Sequence, residues 1–259
     1  MALVRQHLRQ EWTALVGWAV AVAVTAFGLD AAFAVFPPAL VGQVRSLYDR
    51  MPAGVSAFLG GTATFPGARG WAAGLALGGM VPLVIAVFVA LAALSVVVED
   101  RDSGGLEFLL ALPVRRERLI VARAASVVGQ LVALEVIVCL GAVLGLAAIG
   151  HQLPLGRLAA TALVVLLAQT ALAGTLVLCS LALRDPVQAM LVDHILAIGL
   201  FLLPALADHS AVRYVSPFTY AGGAYLVGGG FPVGHVLVLA AWTVAAFGIA
   251  AVWFGRMDT

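Results

Sequence analysis

Six stretches of this chain, 13–36, 71–98, 119–149, 157–183, 187–206 and 234–254, are each predominantly apolar. Each has about the 20 residues that an α-helix needs to cross a bilayer. None alternates apolar and polar residues, as the strands of a membrane barrel do. Spanning backbone must satisfy its own hydrogen bonds, so six such runs predict an all-α polytopic membrane protein with six transmembrane helices. With 63% hydrophobic and 10% charged residues, a soluble globular domain is a poor candidate.

The N-terminal run follows Arg5 and Arg9 and ends near Ala32-Phe33-Ala34, a loose imitation of a secretory signal and its cleavage site. At about 22 residues the apolar stretch is long for a signal and fits a spanning helix better. Residues 1–12 then read as a short amphipathic helix on the membrane surface. Cys139 and Cys179 fall inside predicted spans without metal-ligand spacing and read as small apolar side chains.

All 14 Lys+Arg positions are arginine. A nucleotide-binding P-loop needs a lysine on the phosphates, so the chain cannot carry that motif. No nucleophile, base and orienter occur together, no metal-ligand cluster is visible, and no basic stripe suits nucleic acid. No catalytic residue is assigned.

Six spans place both termini on one side. With the termini in the cytoplasm, the inner segments hold Arg5, Arg9, Arg101, Arg115, Arg116, Arg118, Arg123, Arg184 and Arg256; the outer ones hold Arg45, Arg50, Arg69, Arg157 and Arg213. The inner segments are also shorter, and positive charge favours the cytoplasmic side. On the outside, Leu40, Val44, Leu47, Tyr48 and Met51 have helical spacing ended by Pro52, a short helix before the second span. Residues 207–233, aromatic and glycine-rich, either form short re-entrant helices before the sixth span or a plain interfacial loop.

A third of the charged residues lie in Val96–Arg118. Glu99, Asp100 and Asp102 sit where the N-terminus of a new helix would favour negative charge. Ser103, Gly104 and Gly105 permit a sharp change of direction. Leu106, Leu109, Leu110 and Pro113 follow at i, i+3, i+4 and i+7, a short amphipathic helix that Pro113 helps to end. Arg115, Arg116 and Arg118 anchor the third span at the headgroups. Spacing leaves two readings of 99–113: a re-entry elbow with its leucines on lipid, or an apolar surface that requires a protein partner.

The order of acidic residues, Ser-Gly-Gly-Leu-Glu, then Leu-Leu-Ala-Leu-Pro-Val-Arg-Arg resembles the loop between the second and third helices of type 2 ABC exporter permeases. Tyr48-Asp49-Arg50-Met51-Pro52 before Phe58-Leu59-Gly60, Ser216-Pro217-Phe218-Thr219-Tyr220, and Phe254-Gly255-Arg256-Met257-Asp258 match the same family at corresponding places. The family commonly has Glu-Thr or Gly-Thr where this chain has Gly104-Gly105, and often a lysine where it has Arg123. The resemblance implies one transmembrane permease domain over 1–259 in a bacterial cytoplasmic membrane. It further implies that 99–113, with Glu99, Asp100, Gly104, Gly105, Leu106, Glu107, Leu109, Leu110, Pro113, Arg115 and Arg116, is the coupling element seated on a separate cytosolic ATP-binding subunit. ATP and Mg would bind that partner, with no cofactor in this chain. A second permease copy or a paralogue would complete the unit, in contact with the lipid bilayer and not with nucleic acid.

Ionisable or amide side chains within spans are costly and mark candidate substrate paths. Glu135 lies near the middle of the third span, Gln169 of the fourth, and Asp193 and His194 about two turns into the fifth. Adjacent residues on a helix point about 100° apart, so Asp193 and His194 cannot both face one cavity squarely. Asp30 falls near the outer interface, where a carboxylate needs no special partner. Gly74 with Gly78 and Gly141 with Gly145 have the GxxxG spacing of close helix packing. Two other functions fit the same residues: an ion-coupled carrier using Glu135 and Asp193, and an anchor that recruits a cytosolic protein without transport.

Overall fold

The computed structural model describes residues 12–35, 43, 46, 50, 67–102, 116–183, 185–207, 210–221 and 230–256, with backbone alone at 75, 97, 99–102, 116 and 117. Helix α1 (Trp12–Ala31) runs into a 3-10 turn, Ala32–Val35. Helix α2 is continuous through Ala68–Trp71, a π-helical run Ala72–Met80, and Val81–Asp102. Then come α3 (Arg116–Ala148), α4 (Leu155–Ala182), α5 (Pro186–Leu206) and α6 (Val233–Arg256). Six helices are long and apolar enough to cross a membrane, in the places the hydropathy predicts. The surface helix expected over 1–12 (all but its last residue), the helix expected over 40–51 (all but isolated positions) and the segment 103–115 lie outside the described residues.

Local chemistry fixes several helix ends. Asp185 caps α5 by accepting hydrogen bonds from the backbone N–H of Val187 and Gln188, with Pro186 at the first helical position. Gly150, at φ 77, closes α3; its N–H bonds Ala147 O while that of His151 bonds Leu146 O. A side chain would be strained in that left-handed turn.

Helix α1 lies along α3, α4 packs between α6 and α2, and α5 rests on α2 and α4. The α1–α3 crossing is made by Gly141 and Gly145: a Cβ at Gly145 would stand 2.7 Å from Phe27 O, and one at Gly141 3.0 Å from Ala26 Cβ. The Gly141–Gly145 pair therefore serves packing within the chain. Gly174 plays the same part between α4 and α6, where an added Cβ would stand 2.8 Å from Ala246 Cβ. That interface also carries Trp242 Nε1 donating to Thr175 Oγ1 at 3.1 Å and a 3.3 Å Thr170–Thr243 hydroxyl pair.

Helix α2 departs from the sequence reading at both ends. Its π-helical run precedes Pro82, which has no N–H for Gly78 O and whose ring crowds that carbonyl; the Val81 N–H reaches back to Ala76 O instead. Gly74 and Gly78 lie within this wider winding. At its other end α2 continues to Asp102. Glu99, Asp100 and Asp102 thus occupy its C-terminal turns and do not begin a new helix, correcting the expectation. Nothing in Val96–Asp102 breaks a helix, whereas Ser103-Gly104-Gly105 follow directly.

After α5 the chain forms two 3-10 turns, Ala211–Val215 and Pro217–Tyr220. Pro204, inside α5, cannot donate to Leu200 O. Ser216 Oγ donates to that carbonyl at 2.5 Å and accepts from the Phe218 N–H at 3.1 Å. Phe218 then meets Phe201 edge-on, ring centres 5.0 Å apart. The Ser216-Pro217-Phe218 motif is thereby seated on the proline break.

Candidate functional site

Glu135 belongs to a stripe of α3 with Leu131, Val138, Ala142 and Leu146, all at most 1% exposed. Their offsets of −4, +3, +7 and +11 place them on one face. Glu135 is itself 5% exposed, and its Oε2 is buried without a hydrogen-bond partner among the described residues. On α4, Gln169 is fully buried among Val165, Leu172, Ala173 and Leu176, and neither its Oε1 nor its Nε2 has a partner among the described residues. An unpaired buried amide costs about 1–3 kcal/mol, so such a group is retained against stability.

Eleven residues beyond Gln169, about three turns, Ser180 occupies the same face of α4. Its hydroxyl donates to Asp193 Oδ2 of α5 at 2.5 Å, and both residues are fully buried. Asp193 Oδ1 is unpartnered. His194 is turned away from this pair, its Nδ1 2.8 Å from Met190 O of its own helix. The 100° separation expected of the two neighbours is what divides their surroundings. No hydrogen bond joins any two of Glu135, Gln169, Asp193 and His194 among the described residues.

Asp30 differs from expectation. It is fully buried at the α1–α3 crossing, its Cβ 3.0 Å from where a Cβ at Gly145 would lie, and neither carboxylate oxygen has a partner among the described residues. The glycine-mediated approach of the two helices encloses it, a consequence invisible to hydropathy alone. Nearby, Trp71 Nε1 donates to Leu29 O at 2.7 Å, tying α2 to α1.

At the end of the bundle where α2 and α3 face the 103–115 segment, Arg123 is 9% exposed. Its Nη1 donates to Val96 O at 2.7 Å and to Ser95 O at 3.3 Å. Of the expected coupling residues, Glu99 and Asp100 fall in the last turns of α2 and Arg116 is the first residue of α3. Gly104, Gly105, Leu106, Glu107, Leu109, Leu110, Pro113 and Arg115 lie outside the described residues. Sequence reasoning missed the Arg123 contact, the buried state of Asp30 and the Ser216–Leu200 bond. Only the last had a local signal, a proline in the last turn of the fifth span that opens the carbonyl four residues earlier.

These features describe a helical bundle whose mainly apolar core encloses carboxyl, amide, hydroxyl and guanidinium groups. A family model described as ABC-2 family transporter protein matches residues 1–259. No curated protein matches the chain. Six apolar helices together with a match over the full length place this chain in the ABC-2 transporter family, as a multi-pass membrane permease of an ABC transporter.

Proposed function

We propose that the chain is the permease subunit of an ATP-binding-cassette exporter, moving its substrate out across a bacterial cytoplasmic membrane by alternating access. Two permease chains, identical or paralogous, work with separate ATPase subunits that bind ATP and Mg. Both termini and the 99–113 segment face the cytosol, and the leucines of that segment seat on the ATPase. The observation that carries this reading is the family match over 1–259, together with the absence of lysine, which leaves phosphate chemistry to a partner.

Glu135, Gln169 and Asp193 line the substrate path in this reading. Support comes from the unpartnered atoms that each carries inside an apolar bundle. His194, satisfied within α5, is the weakest member of the set. Reconstitution into proteoliposomes with a co-purifying ATPase tests the assignment. Export that requires ATP and ignores an imposed pH gradient is expected. Flux driven by the pH gradient without an ATPase would establish the ion-coupled carrier, and partner binding without any flux the anchor.

A further inference from the structure

We propose that Arg123 is a positioning residue that locks α2 and α3 into one lever at the root of the 103–115 segment. The inference rests on the reading of that segment as the ATPase-coupling element. Arg123 lies seven residues into α3, and its acceptors Ser95 and Val96 lie seven and six residues before the end of α2. At 1.5 Å per residue, the joint sits about 10 Å above the points where the segment leaves each helix.

The chemistry favours a fixed joint. A buried guanidinium is tolerated only when its N–H groups are bonded, and it is always charged, so this contact does not come and go with pH. Carbonyls within a helix keep a second lone pair after serving their own i+4 N–H.

The position of the joint suggests what it does. At the same level α2 is held on another side by an apolar seat, Leu94 and Val98 against Ala189 of α5, with Leu183 packed beside them. Helix α2 is therefore pinned between α3, through Arg123, and α5, which carries the buried Asp193–Ser180 bond one turn further on. A push on either root of the segment moves α2 and α3 together and reaches α5 through this seat. Without the guanidinium, the α3 root can shift while α2 stays behind.

The test uses the full chain with its co-purified ATPase in nanodiscs, in a background with Cys139 and Cys179 replaced by alanine. Spin labels at Val121 of α3 and Val187 of α5, 58% and 61% exposed, report the distance between the two helices. ATP with vanadate should shift that distance in the parent protein. Arg123→Met, similar in length but without donors, should lose the shift, and Arg123→Lys, whose ammonium can still reach Val96 O, should restore it. In the permease alone, hydrogen exchange at amides 96–102 should be about tenfold faster in Arg123→Met, the loss expected for one charge-assisted hydrogen bond.

An unchanged shift in Arg123→Met, or unchanged exchange at 96–102, overturns the inference. A parent complex that shows no shift with ATP and vanadate overturns the coupling reading instead, and the exchange measurement still decides whether Arg123 is the joint. Should Arg123→Met fail to insert, Arg123→Gln, too short to span to α2, takes its place with the same expectations.

Discussion

Ser216 completes the hydrogen bonding of a helix to which it does not belong: its hydroxyl fills the Leu200 carbonyl that Pro204 leaves open in α5. In hydrocarbon an open carbonyl has no water to turn to, so a proline in a span requires such a donor. Ser216→Ala should cost about 1–3 kcal/mol of stability, the penalty for an unsatisfied buried group. Ser216→Thr should retain most of it. Thermal unfolding in detergent, read by tryptophan fluorescence, measures both, and equal melting of the alanine variant and the parent would contradict the assignment.

The Ser180–Asp193 bond ties α4 to α5 where both are fully buried. Ser180→Ala leaves Asp193 without its one hydrogen-bond donor among the described residues and should destabilise by about 1–3 kcal/mol. Asp193→Asn keeps an acceptor for the hydroxyl and should melt close to the parent. If Asp193 also serves the substrate path, the asparagine variant loses transport while keeping stability, a separation that thermal melting and flux measured on one preparation can resolve.

Gln169 offers the opposite signature. Because neither amide atom has a partner, Gln169→Leu removes an unpaired polar group and fills nearly the same space. The variant should melt at or above the parent temperature. Loss of transport alongside that gain would mark Gln169 as retained for function at the expense of stability, and a destabilised variant would show that the amide is satisfied in the membrane.

The close crossing of α1 and α3 predicts a sharp contrast between two glycines of one helix. Gly145→Ala drives a methyl group against the Phe27 carbonyl and should destabilise by about 1–3 kcal/mol. Gly129→Ala meets nothing within 4 Å and should stabilise slightly, by up to about 1 kcal/mol, through helix propensity. Unfolding titrations of the two variants decide it; equal effects would mean the helices are further apart than described.

Hydropathy made the six spans legible because each had to be apolar along its whole length. The charges at Glu99, Asp100 and Asp102 suggested the start of a new helix, whereas α2 continues through them to Asp102 because nothing in Val96–Asp102 breaks a helix. Asp30 was misread because its burial comes from the fit of Gly145 against Phe27, a relation between residues far apart in sequence. Glu135, Gln169 and Asp193 stood out as polar residues in apolar runs. The partner of Asp193 did not, since Ser180 is an unremarkable residue until α5 folds back and sets Asp193 beside it.

The central claim, that this permease is driven through the segment between α2 and α3, is tested most directly by recovery of an ATP-hydrolysing subunit on the affinity-purified chain, with and without Leu109→Asp. A charge in the apolar docking face should abolish recovery while the variant still inserts in the membrane at parent levels. Equal recovery with the well-expressed variant, or no ATPase on the parent chain, would contradict it.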